Sequence, residues 1–130
     1  MVYARKARQI GVADSFQAGY KSATSQSARD LYVATKYLGP ADRVLVIDDF
    51  LAGGATADAL LRICRMAGAQ VVGGGFLIEK VNEAGRALLS GAQVPFESLT
   101  SVSVEDGRLQ ILEAEPETGP EERDFNVADS

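Results

Sequence analysis

The sequence predicts an α/β domain: a mostly parallel sheet, helices flanking it, and one antiparallel hairpin. Three observations carry that reading. Val44 to Ile47 is an unbroken aliphatic run with no polar face, which suits a strand covered on both sides, as in parallel sheets. Two acids, Asp48 and Asp49, and a run of small residues then lead into a helical pattern. A second apolar run, Gln70 to Ile78, follows that helix after a short break, and strand–helix–strand order belongs to parallel sheets.

Taken in order, Met1 to Ala4 reads as the end of a short strand. The cations Arg5, Lys6 and Arg8 follow at once, and Gln9 to Gln17 reads as a loop. Tyr20 to Thr24 and Asp30 to Lys36 read as two strands of a hairpin turned by Ser25, Gln26 and Ser27. Gly39, Pro40, Ala41 and Asp42 break the chain before the central strand. The helix after Thr56 buries a stripe of Ala57, Leu60, Leu61, Cys64 and Ala67 at helical spacing. Arg62 and Arg65 lie off that stripe and suit the C-terminal end of the helix dipole, and Gly68 ends the helix. Gly73, Gly74 and Gly75 allow a helix or a neighbouring backbone to approach the next strand closely. A second helix spans about 83–89 and stops near Gly91. Val94 to Val104 and Arg108 to Leu112 are the last strands, around the turn Glu105, Asp106, Gly107.

With 130 residues, 46% of them apolar and 24% charged, the chain suits one globular core. The net charge of −5 is unevenly placed. Seven acids and one arginine lie from Glu113 onward, leaving residues 1–112 nearly neutral. The domain is therefore placed at 1–112, and 113–130 reads as an acidic, disordered tail. Neither part has the basic excess of a nucleic-acid binder. No apolar run is long enough to span a bilayer, so no membrane partner is expected. The single Cys64 rules out an internal disulfide framework and suits a reducing cytoplasm; it reads as a small core residue. The chain contains no histidine, which removes Ser–His and Cys–His nucleophile pairs and makes a zinc site untenable.

The chemistry gathers at residues 48–56. Buried, unpaired carboxylates are too costly for a core, so Asp48 and Asp49 belong at the carboxyl edge of the sheet, where open α/β folds bind ligands. There they offer a diol or metal site. Ala52, Gly53, Gly54 and Ala55 leave the backbone bare, so that successive N–H groups can face one anion. Thr56 is placed to cap the helix, whose start favours a phosphate. A sugar phosphate satisfies both halves at once; the plain alternative is a βα turn with two solvated acids.

Strand, paired acids and short phosphate loop resemble the ribose-phosphate motif of the type I phosphoribosyltransferases. Further runs extend the likeness toward the xanthine branch: Tyr3-Ala4-Arg5-Lys6, Asp48-Asp49-Phe50-Leu51-Ala52, Phe76-Leu77-Ile78-Glu79-Lys80, Gly85-Arg86 and Phe96-Glu97-Ser98-Leu99. Spacing and order agree from Tyr3 to about Val104. The resemblance implies that Asp48 and Asp49 hold the ribose hydroxyls of phosphoribosyl pyrophosphate and that residues 52–56 hold its 5-phosphate. It implies that Lys80 meets an exocyclic oxygen of the purine, and that Arg5 and Lys6, on a flexible loop, grip pyrophosphate. Mg2+ bound with phosphoribosyl pyrophosphate, with no metal site built from protein alone, and a homodimer are implied as well.

The expected activity is transfer of a phosphoribosyl group to N9 of an oxopurine, xanthine first, in purine salvage. The loop departs from the family in reading Ala-Gly-Gly-Ala-Thr, where an Asn and a Gln are usual. The likeness also begins well inside the family's length: a purine hood, a first helix and a strand with a pyrophosphate loop precede the Met1 position there. The chain is therefore expected to be the C-terminal part of such an enzyme, binding phosphoribosyl pyrophosphate weakly, turning over little and self-associating. The alternatives are a regulatory module that binds phosphoribosyl pyrophosphate and an inactive remnant.

Overall fold

A computed structural model describes residues 1–8, 10–11, 13–22 and 25–112; the tail expected from Glu113 lies outside them. Eight elements follow one another: β1 (Ser15–Lys21), β2 (Ala28–Ala34), β3 (Arg43–Leu51), α1 (Ala55–Ala67), β4 (Gln70–Lys80), α2 (Gly85–Gly91), β5 (Phe96–Glu105) and β6 (Arg108–Leu112). β1 and β2 form a separate antiparallel hairpin, while the main sheet has the order β3-β4-β5-β6. β3, β4 and β5 are parallel, and β6 returns antiparallel to β5 through a turn whose Asp106 and Gly107 both have positive φ. The fold is thus the mixed, mostly parallel α/β sheet with a hairpin that the sequence implies.

Right-handed crossovers explain the layering. Strand order advances in one direction from β3 to β5, so both crossover helices fall on one side. There Leu51, Phe76 and Val94 meet Ala57 and Leu61 of α1 and Leu89 of α2. Full burial of a Leu such as Leu51 or Leu89 contributes about 1.5–3 kcal/mol. Within the described residues the opposite face stays uncovered: Leu45 is 58% exposed, Ile47 66% and Leu99 78%. The expectation that Val44 to Ile47 is covered on both sides is therefore corrected; Val46 is buried, and its neighbours 45 and 47 face outward.

The hairpin makes a second core. Ala18, Leu31 and Val33 close over Ala59 and Ile63 of α1. This widens the helix stripe beyond the one the spacing predicts, which lacked Ala59 and Ile63 and included the less buried Leu60. Arg62 has a different role from the one expected. It bonds Asp58 at 2.8 Å and the Gly19 carbonyl of β1, tying the helix to the hairpin; only Arg65 lies in the last turn. Gly68 ends the helix in the left-handed region, its N–H bonded to the Arg65 carbonyl. β1 begins at Ser15, inside the predicted loop, because Phe16, Ala18 and Tyr20 alternate with exposed Gln17, Gly19 and Lys21. After β2 the chain takes a short 3-10 turn at Thr35–Tyr37.

The glycines of β4 meet the expectation in part. A Cβ on Gly73 would stand 3.2 Å from Leu45 Cδ1, and one on Gly75 would stand 2.8 Å from Ile47 Cδ1. Side chains of the neighbouring strand use that space, together with the Pro95 backbone carbonyl, 3.4 Å from a Cβ on Gly73. Cys64 is buried and free, and burial pushes its thiol above the ordinary range, as suits a core residue and not a nucleophile.

Candidate functional site

Asp48 and Asp49 lie near the carboxyl end of β3, three and two residues before its last residue, Leu51. Each acid folds back on the chain. Asp48 Oδ1 accepts the Asp49 N–H at 2.8 Å, and Asp49 Oδ1 accepts the Phe50 N–H at 2.9 Å. One oxygen of each carboxylate is thereby oriented by backbone. Burial raises the Asp48 pKa above the ordinary carboxylate range. The Asp49 amide opposes the shift, the neighbouring Asp49 carboxylate adds to it, and the Lys6 ammonium partly relieves it. The structure thus brings the basic N-terminal segment near the acids. Arg5, another of its three cations, is held by backbone: its N–H and carbonyl pair with Tyr32 of β2 at 2.9 and 2.8 Å.

A group that holds its proton to higher pH in the folded state than in the unfolded one destabilises the fold as pH rises. The folded chain binds more protons in the window between the two pKa values, so stability falls as pH climbs through it. That window opens at the ordinary Asp value of about 3.9. Asp48→Asn should therefore melt higher than the native chain above the window and lose this advantage below it. Melting curves of both proteins across the carboxylate range check the sign; an Asn variant that melts lower than the native chain above the window contradicts it.

Ala52 and Gly53 form the loop, and α1 starts at Ala55. The N-cap is Gly54, at φ 86°, with no side-chain cap bond. Thr56 is inside the first turn, so the expected Thr56 cap is not formed. Gly54 is required by the fold itself: its φ is left-handed, and a Cβ there would stand 3.0 Å from Gly85 Cα and 3.4 Å from Leu88 Cδ1. Gly53 is the position whose bare backbone faces outward. A Cβ on it would meet only Glu83 Oε2, at 3.7 Å. Gly53→Val should leave the melting temperature nearly unchanged and weaken ribose 5-phosphate binding at least about tenfold, because the branched side chain blocks backbone approach. Calorimetric titration reads this directly, and undiminished affinity would remove the loop from the site.

The end of β4 stands beside the loop. Parallel pairing sets Leu51 opposite Glu79, which puts Lys80 at the same sheet edge as the acids. The Lys80 ammonium lies 3.8 Å from Glu83. The Gly85 N–H, at the start of α2, donates to the Ala52 carbonyl at 2.8 Å. A Cβ on Gly85 would stand only 2.4 Å from that carbonyl oxygen, so glycine is needed for the two loops to touch. Glu79, which enters the sequence reading only within the run Phe76 to Lys80 and with no role of its own, lies beside these groups. It is 1% exposed and takes both Arg86 Nε and Nη2 at 2.7 and 2.8 Å. A glutamate placed inside an apolar strand run, with an arginine seven residues on, was the signal for it.

Among the described residues no group of three or more metal-ligating side chains occurs. The free oxygens of Asp48 and Asp49 are hard donors that suit a divalent cation whose remaining ligands come from substrate and water.

The fold superimposes on adenine phosphoribosyltransferase from Rhodothermus marinus with a TM-score of 0.66 and 32% identity, over 77% of this chain and 55% of that one. The adenine phosphoribosyltransferase of Giardia lamblia, solved with 9-deazaadenine, gives 0.69 and 27% identity over the same shares, 77% and 55%. The fold is thus shared with solved phosphoribosyltransferases. Its sequence is similar to the xanthine phosphoribosyltransferases. It is 39% identical over 117 residues to that of Listeria innocua and 41% over 116 residues to that of Deinococcus deserti. Each match takes in 88% of this chain but only 61% and 60% of those proteins, so the chain spans about three-fifths of the relatives it matches. No protein-family profile matches it.

Proposed function

We propose that this chain supplies the ribose-phosphate and base-selecting parts of a purine phosphoribosyltransferase. The reaction breaks the C1–O bond of phosphoribosyl pyrophosphate, forms a C1–N9 bond to an oxopurine, xanthine above all, and releases pyrophosphate and the N9 proton. One observation carries the reading: paired acids, a bare glycine loop at a helix start and a strand-end lysine share one sheet edge, the two loops joined by the Gly85–Ala52 bond.

Each residue has a part. Asp48 and Asp49 orient the ribose hydroxyls and place negative potential beside the oxocarbenium-like centre. Residues 52–56 hold the 5-phosphate through backbone donors and the start of α1. Arg5 and Lys6 neutralise the departing pyrophosphate. Mg2+, bound with phosphoribosyl pyrophosphate, would be held from the protein side by Asp48 and Asp49 and would reduce the charge of the leaving group. No side chain needs to act as a general acid or base, because positioning and charge carry the reaction. A cytoplasmic homodimer that acts on small molecules, with neither nucleic acid nor membrane as partner, completes the reading.

Lys80 selects the base. An ammonium donates and cannot accept, so it favours an oxo group over an amino group. This supports xanthine over adenine, in line with the names of the sequence relatives and unlike those of the solved structures. Calorimetry of Mg2+–phosphoribosyl pyrophosphate against the chain tests the sugar-phosphate site, and binding is expected. Failure to bind would overturn the function. Lys80→Gln should weaken xanthine binding by about 1.5–3 kcal/mol, the range for a hydrogen bond to a charged group, while phosphoribosyl pyrophosphate binding changes little. Equal loss for both ligands would move Lys80 from the base to the phosphates.

A further inference from the structure

We infer that Glu79 and Arg86 are positioning residues that set the distance between the phosphate loop and the base-selecting lysine. The inference rests on the proposed roles of residues 52–56 and Lys80. Glu79 immediately precedes Lys80, is buried, and has both carboxylate oxygens engaged by Arg86 in a two-pronged pair. The Arg86 guanidinium also lies 5.2 Å from the centroid of the Phe96 ring, which limits its rotation. Arg86 is the second residue of α2, next to Gly85, whose N–H is fixed on Ala52. The turn between Lys80 and Gly85 is therefore pinned at both ends, by an ion pair on the lysine side and by a backbone bond on the phosphate side.

Stability alone gives a weak account of such a pair. Glu79 loses its hydration on burial while the Arg86 side chain stays 56% exposed, so desolvation of the carboxylate offsets much of the pair's attraction. Its distinctive property is direction: a planar fork on a carboxylate fixes angle as well as distance. A ligand that touches only the phosphate loop is indifferent to that direction. A complete nucleotide must reach the phosphate loop and Lys80 together, and small errors of placement across such a span cost heavily.

The test uses the 130-residue chain and two probes, ribose 5-phosphate and xanthosine 5′-monophosphate, in calorimetric titrations. Arg86→Lys keeps the charge and removes the fork. It should leave ribose 5-phosphate affinity within about twofold and weaken the nucleotide about tenfold or more. A nucleotide affinity that stays put, or equal losses for both probes, overturns the inference. Should Arg86→Lys fail to fold, the pair Glu79→Leu with Arg86→Met removes both charges at similar volume. The same nucleotide-selective loss is expected of it, and unselective behaviour again overturns the inference. A native chain that binds neither probe overturns the proposed function itself and this inference with it. A native chain that binds both, with unselective variants, overturns only the positioning role.

Discussion

Replacing Asp48 and Asp49 together with asparagine should lower kcat/KM for phosphoribosyl transfer by about 10²-fold or more, the loss typical of one preorganised electrostatic group. Asparagine keeps the shape of each side chain and the carbonyl oxygen that accepts the following N–H, so the bonds at 2.8 and 2.9 Å survive. What disappears is charge. A carboxylate about 4 Å from a developing cation contributes up to about 4 kcal/mol at the effective dielectric of a protein surface, ample for a 10²-fold effect. Burial of Asp48, the cause of its raised pKa, works in the same direction, since a charge screened less by water acts more strongly. Kinetics measured on the whole protein, with melting curves as a control for folding, decide the matter. Unchanged turnover would make the acids solvated turn residues.

The second large effect is association. Leu45, Ile47, Leu77 and Leu99 are all exposed. The pairing of β3, β4 and β5 sets them side by side with Gly73 and Gly75 on the face that carries no helix. Among the described residues β3 is also a terminal strand of its sheet, with no strand paired to its outer backbone groups. Uncovered apolar area and an open strand edge both favour association. Sedimentation velocity of the native chain should therefore show sizes that grow with concentration. Ile47→Lys with Leu99→Lys should restore a monomer at little cost in melting temperature, because both side chains are already largely in water. A native chain that stays monomeric at every concentration would show that this face is innocuous.

Much of the fold was legible because local patterns and tertiary packing agree. Val44 to Ile47, the α1 stripe through Ala57, Leu61 and Cys64, the Gly68 stop and the Asp106–Gly107 turn each follow from spacing or turn chemistry. The failures have a common cause in tertiary contact. Ala59 and Ile63 are buried only because the hairpin lies on α1. Gly54 is constrained by Gly85 and Leu88, thirty or more residues away. A side chain at Gly54 would therefore damage the fold as well as the site, whereas one at Gly53 would not. Glu79 was legible as an acid inside an apolar strand run, but its pairing with Arg86 was not, because Arg86 lies on another element. The acids, the loop and Lys80 were legible as residue types at a sheet edge. The bond that joins their two loops was not, because it runs between backbone atoms of Ala52 and Gly85.

α1 belongs to two cores. Its Ala57 and Leu61 face the main sheet, and its Ala59 and Ile63 face the hairpin. The hairpin touches the sheet through this intermediary, so it can open without breaking any strand pairing of the sheet, as a separate cooperative unit. Amide exchange in deuterated water should then fall into two classes, with β1 and β2 exchanging ahead of β4. Because Arg5 is bonded to Tyr32, the basic N-terminal segment travels with the faster class. An anion that bridges this segment and the start of α1 would hold the two units together, and the hairpin amides would slow to the pace of the sheet.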